Sequence, residues 1–282
     1  MISEAPISAL PLLAILALVL AGLAALILQP WWVARRHARL LSRPFPAAWR
    51  RILRQRVPAA AALPADLQQR LKQRIQVFLA EKPFIGCAGQ TITDEVRVTI
   101  AAQACLLLLG QPRPDGYPRL REILVYPDAF VVDELRRAAG GVVQPQRQVL
   151  AGQSWTQGRV ILAWTEVVTG AADPGDGRNV VIHEFAHQLD QESGPANGAP
   201  FLGRRDRYAR WAAVLGSEFA ALQQRLARGE TGLIEAYAAT DAAEFFAVVS
   251  ELFFERSAEL AAQHPALYEE LARYYCAQPL HW

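Results

Sequence analysis

The sequence predicts an α+β fold dominated by helices, with a small sheet in its middle and one transmembrane helix at its N-terminus. Three observations predict it. A run of 22 residues, Ile7 to Leu28, carries no charge. Apolar residues recur with a helical period through much of the remainder, and two short stretches rich in β-branched and aromatic residues interrupt that pattern. The chain has 282 residues, 52% of them hydrophobic and 20% charged, which excludes a largely disordered protein.

The apolar run comes first. Only Ser8, Pro11 and Gly22 fall outside the strongly apolar set. At about 1.5 Å per residue the run crosses a hydrocarbon core of about 30 Å. Trp31 and Trp32 follow where an aromatic belt would lie, and then Arg35, Arg36, Arg39, Arg43, Arg50, Arg51, Arg54 and Arg56. Only Glu4 is charged before the run. The positive-inside rule therefore predicts a single-pass protein of the inner (cytoplasmic) membrane, with its body in the cytosol. A cleaved signal peptide would need a basic start and a shorter apolar stretch. The expected division is an anchor over 7–29, a basic connector over 30–64 and a catalytic domain over 65–282.

Within that domain, Asp66 to Lys82 has Leu67, Leu71, Ile75 and Phe78 at helical spacing. Asp94 to Leu109 reads as a buried helix with an Asp cap and a stop at Gly110. Glu122 to Val132 and Arg159 to Val168 read as strands. Asp173-Pro-Gly-Asp-Gly177 is a turn-rich loop. Beyond it, helices are expected over Asp206 to Arg228 and Asp241 to Glu255, with Pro265 in the first turn of the last one. Three cysteines, Cys87, Cys105 and Cys276, form neither a disulfide framework nor a C-x-x-C zinc module. A net charge of +2 gives no reason to expect direct nucleic-acid binding.

The chemistry is carried by His183-Glu184-Phe185-Ala186-His187, an H-E-x-x-H motif. On a helix, positions i and i+4 share a face, so both imidazoles reach one ion. One zinc ion suits two neutral imidazoles and a carboxylate, with the fourth position left to water. Glu184 is then placed as the general base for hydrolysis of a peptide or protein substrate. Two histidines and a glutamate in an apolar helix each need a partner, because unpaired buried polar groups are costly.

The third ligand stays open among Asp190, Glu192, Glu235, Glu244, Glu251 and His264. Asp190 is better placed to accept the N–H of a ligand histidine. Glu244 lies one turn into an otherwise apolar helix, where a carboxylate wants a cation; the competing reading is half of an Asp241-x-x-Glu244 capping box. Glu251 shares its face, seven residues on. Tyr237 is a candidate donor to a developing oxyanion. The stretch Arg159 to Trp164 is a candidate strand for pairing with an extended peptide, or a plain structural strand.

Together these residues resemble the Mlc titration factor A family of zinc metallopeptidases. The match runs roughly from Ile75 to Tyr275. It includes Ile100-Ala-Ala-Gln-Ala-Cys-Leu-Leu-Leu-Leu109, Tyr126-Pro-Asp-Ala-Phe130, Gly158-Arg-Val-Ile-Leu-Ala-Trp164 and Tyr237-Ala-Ala-Thr-Asp-Ala-Ala-Glu-Phe-Phe246, besides the H-E-F-A-H-Q-L-D stretch. The family is similar to the catalytic domain of anthrax lethal factor, a gluzincin. The resemblance implies a zincin-like domain, zinc held by His183, His187 and Glu244, Glu184 as base and Tyr237 lining the site. It also implies weak peptidase or aminopeptidase activity, and binding to a transcriptional repressor of sugar-uptake genes. A regulatory protein that sequesters such a repressor, with little proteolysis, is the second reading. Members of the family look soluble, and the N-terminal apolar run sets this chain apart from them.

Overall fold

The computed structural model describes residues 10–111, 116–128, 130–137, 143–150, 152–155 and 158–282. The chain divides into two compact units, 1–44 and 45–282. The first is one helix, α1 (Leu10–Leu41). It continues past the apolar run, through Pro30 and the tryptophans, into the arginines. Proline lacks the N–H of an interior turn, and the helix nevertheless carries on. The guanidinium of Arg35 lies 5.2 Å from the Trp31 ring centroid. Leu18 and Ile27 are 73% and 74% exposed, so this is a helix that presents, rather than hides, an apolar surface.

The second unit begins with α2 (Ala47–Arg56) and α3 (Pro58–Ala62), followed by α4 (Ala65–Glu81), β1 (Phe84–Gly86) and α5 (Asp94–Leu106). Leu53, Val57, Ala60 and Leu63 are buried in its core. The second compact unit therefore includes buried residues upstream of residue 65. The cap of α5 is Thr93, whose hydroxyl accepts from the Val96 N–H. Asp94, expected in that role, instead accepts from Trp49 Nε1 at 3.0 Å. The helix ends at Leu106, and a turn carries the chain to Gly110.

Next come β2 (Glu122–Tyr126), β3 (Phe130–Arg137), β4 (Val143–Leu150), β5 (Gly152–Trp155), β6 (Arg159–Ala163) and α6 (Trp164–Ala172). Both long strands expected from the sequence are thus shorter. The first bends after Tyr126, and the second turns into a helix at Trp164. The strands β1, β2 and β6 run parallel, β5 joins antiparallel, and the order is β1-β2-β6-β5. The pair β3-β4 is a separate antiparallel ribbon. Arg159–Ala163 is paired on both sides, so it offers no free edge to a peptide; β5 occupies that place.

The remaining helices are α7 (Val180–Asp190), α8 (Arg205–Ala227), α9 (Ala242–Glu255), α10 (Ser257–Gln263) and α11 (Pro265–Tyr275). Pro265 stands at the start of α11, where its missing N–H removes nothing. The helix α5 is buried along nearly its whole length and packs against α2, α4, α6 and α7. Phe185 of α7 closes that packing, 4.7 Å from the Tyr117 ring and 5.8 Å from Phe78. On α9, Phe245, Phe246, Val249, Leu252 and Phe253 are buried, with Tyr275 stacked on Phe253. These apolar faces orient α7 and α9 so that the polar face of each turns toward the other.

Candidate metal centre

Asn179 starts α7: its side-chain oxygen accepts the Ile182 N–H at 3.0 Å. Ile182, Phe185, Ala186 and Leu189 fill the core side of the helix. His183 and His187, one turn apart, are left on the opposite face with ring centroids 4.9 Å from each other. Asp241 starts α9, accepting from the N–H groups of Ala243 and Glu244. Half of the expected capping box is therefore present, but the Glu244 side chain goes to the histidines instead.

Glu244 Oε2 lies 3.1 Å from His183 Nε2 and 3.6 Å from His187 Nε2. One ligand atom from each of the three residues falls within 4.8 Å of the others. Ligands about 2.0–2.1 Å from a tetrahedral ion stand roughly 3.3 Å apart, so this donor set fits a zinc-sized ion. Burial alone would push the Glu244 carboxyl up, but the two imidazoles hold it well below the ordinary range. Burial lowers the His183 pKa, yet hydrogen bonds to Glu244 and Glu251 win and raise it well above 6.5. A cluster that draws in protons this strongly is one that a cation can occupy.

Glu251 Oε1 accepts from His183 Nδ1 at 2.7 Å. That bond puts the proton on Nδ1 and leaves the Nε2 lone pair facing Glu244. Asp190 does not have this role. Its Oδ2 accepts the N–H groups of Asn197 and Gly198, at 2.8 and 2.7 Å, and so ties down the loop after α7. Gly198 must be glycine: its φ is +74°, and a Cβ there would stand 2.2 Å from the Ala242 carbonyl oxygen.

Glu184 is buried, and its Oε2 has no hydrogen-bond partner. Burial, opposed by His183 and His187, raises its carboxyl to about 7. An orphaned carboxylate oxygen near three candidate ligand atoms has the chemistry of a proton acceptor. The Tyr237 ring lies 6.1 Å from that of His183. Its phenol is raised by partial burial first and by the nearby Glu244 carboxylate next.

The other candidates fall elsewhere. Glu235 binds Arg178 at 2.6 Å, and His264 binds Glu218 at 2.8 Å. Glu192 sits in the short 3-10 turn after α7 and is absent from the cluster. Two contributors escape the sequence reading. Asn179 donates its backbone N–H to Glu251, and its Nδ2 donates to Glu255 Oε1 at 2.9 Å. An Asn four residues before the first histidine was the available sign of a helix cap, but nothing in the sequence linked it to α9.

Comparison with known proteins gives the family. The family model described as glucose-regulated metallo-peptidase M90 matches residues 31–276. The uncharacterized protein slr2042 of Synechocystis sp. is 44% identical over 272 residues, covering 96% of this chain and 98% of its own length. So little is left uncovered that the alignment takes in most of α1. Mlc titration factor A of Enterobacter sp. is 38% identical over 79% of this chain and 84% of its own. The Cronobacter sakazakii protein of the same name is 35% identical over 88% and 91%. The chain belongs to the glucose-regulated metallo-peptidase M90 family.

Proposed function

We propose that this protein is a zinc-dependent peptidase held at the inner membrane by α1, with its catalytic unit in the cytosol. The observation that carries the reading is the convergence of His183, His187 and Glu244 beside the unpartnered Glu184 Oε2. His183, His187 and Glu244 would hold the ion. Zinc bound there would supply Lewis-acid polarisation of the scissile carbonyl and a water of lowered pKa. Glu184 takes the proton of the attacking water as its oxygen bonds to the carbonyl carbon, and returns it to the amine as the C–N bond breaks. Tyr237 donates its hydroxyl to the carbonyl oxygen as negative charge develops there. Glu251 keeps the His183 ring turned toward the ion.

The test is Glu184→Gln in the full chain. We expect metal content to stay at one equivalent and cleavage of a fluorogenic peptide library to fall by about 10²–10⁴-fold. Cleavage at the parent rate overturns the mechanism. A cytosolic-format reporter fused after Trp282 should be active; activity only in an external format overturns the topology.

A regulatory reading is favoured by one observation, the shared name of relatives called Mlc titration factor A. On this reading the protein sequesters a transcriptional repressor without cutting it. Pull-down with the Glu184→Gln protein separates the two: retained control of the repressor favours binding.

A further inference from the structure

A cleft of about 460 Å³ opens between α2, α3 and α4, in the same compact unit as the metal centre but built from none of its residues. Arg50, Arg51, Arg54 and Lys72 line it, over a floor that includes Leu53 and Leu71. No acidic side chain is in its wall. Positions 50 and 54 are one turn apart on α2, as are 51 and 54, so three guanidinium groups crowd one face of a helix that has no Asp or Glu. Like charges at that spacing repel. Arg56, the remaining arginine of α2, finds relief in Glu95, whereas among the described residues these four cations have no ion pair. One wall is braced by Gln68, whose Nε2 donates to the carbonyls of Ala61 and Leu63.

We propose that this cleft binds the headgroup of an anionic phospholipid. The four cations match a phosphate, and the exposed Ala47 and Ala61, with the aliphatic stems of the arginines, offer apolar surface to the glycerol and first acyl carbons. The occupant follows from the chain itself. The uncharged run of α1 ends at Leu28, 19 positions before Ala47 in the cleft wall. A tether that short keeps the cleft at whatever bilayer α1 enters, where anionic headgroups are abundant and attract basic segments. The inference rests on α1 as a membrane anchor. That reading fails separately, if the full chain stays in the soluble fraction of a lysate.

The test is titration of the full chain in non-ionic detergent with short-chain phosphatidylglycerol, short-chain phosphatidylcholine and inorganic phosphate, read by native mass spectrometry. One phosphatidylglycerol should bind per chain, at least about tenfold more tightly than phosphatidylcholine. The triple variant Arg50→Gln, Arg51→Gln, Arg54→Gln should lose that preference. So should Ala61→Trp, which fills the cleft and keeps every charge. The variant Arg35→Gln, Arg36→Gln, Arg39→Gln, in α1, should retain it. Equal binding of the two lipids, or a preference that survives Ala61→Trp, overturns the proposal. So does inorganic phosphate that displaces phosphatidylglycerol at equal concentration, which would make this a site for free phosphate.

Discussion

Glu251 Oε1 sits 2.7 Å from His183 Nδ1, on the side of the ring away from Glu244. A carboxylate in that place fixes the tautomer and raises the basicity of a ligand imidazole. Glu251→Ala should weaken zinc binding about 10–100-fold without removing any ligand atom. Competition with a chromophoric chelator measures this, and an unchanged affinity would mean that His183 holds its orientation unaided.

Tyr237→Phe removes one hydroxyl from the rim of the site. Loss of a single oxyanion donor costs about 10²–10³-fold in kcat. The fall should appear in kcat with KM little changed, since the hydroxyl acts on charge that develops only during the reaction. A purely structural tyrosine would leave kcat alone.

Glu255 gives a dependence of stability on pH. Burial above all, against a hydrogen bond from Asn179, raises its carboxyl from 4.5 to about 8. Between those values the folded chain keeps a proton that the unfolded chain releases. Stability therefore falls as pH rises from about 4.5 through about 8, and the penalty is complete above that. Glu255→Gln removes it. Relative to the parent, the variant should gain in Tm between pH 5 and pH 8.5; a difference that stays constant across that range refutes the assignment.

Gly198→Ala should destabilise the fold by more than about 1 kcal/mol, because alanine is strained at φ +74° and its Cβ meets a backbone oxygen. Denaturant titration would show a lower midpoint with an unchanged slope. A midpoint within error of the parent would show that the loop relaxes freely.

The H-E-x-x-H pair was legible because a helix brings residues four apart together without help from the rest of the chain. From the residues alone Glu244 was one of six candidates, singled out only by the family resemblance, since it reaches His183 only because α9 packs on α7, 61 positions away in sequence. Its apolar neighbours announced a buried helix but not which helix it would meet. Asp190 misled for the converse reason. It is close in sequence to His187, yet its carboxylate is drawn to free N–H groups in the next loop. Trp164 to Val168 has the composition of a strand but forms the start of α6, a case of tertiary context overriding local propensity. The arginines of α2 were plain in the sequence as a basic collar. Their convergence on one cleft depends on α4, which contributes Lys72 from beyond the connector.

Asn179 is bound at once to Ile182 on its own helix, to the carbonyl of Gly170 behind it, and to Glu251 and Glu255 on α9. It works as a latch against shear. For α7 to slide one turn along α9, about 5.4 Å, the bonds to Glu251 and Glu255 would have to break together. The spacing of the two histidines from Glu244 is thus set by the fold before any ion arrives. Stripping the metal should leave the helices in register, unlike a zinc finger, which unfolds without its ion. Control of such a centre has to work through access to it, because its ligand geometry is not free to slide.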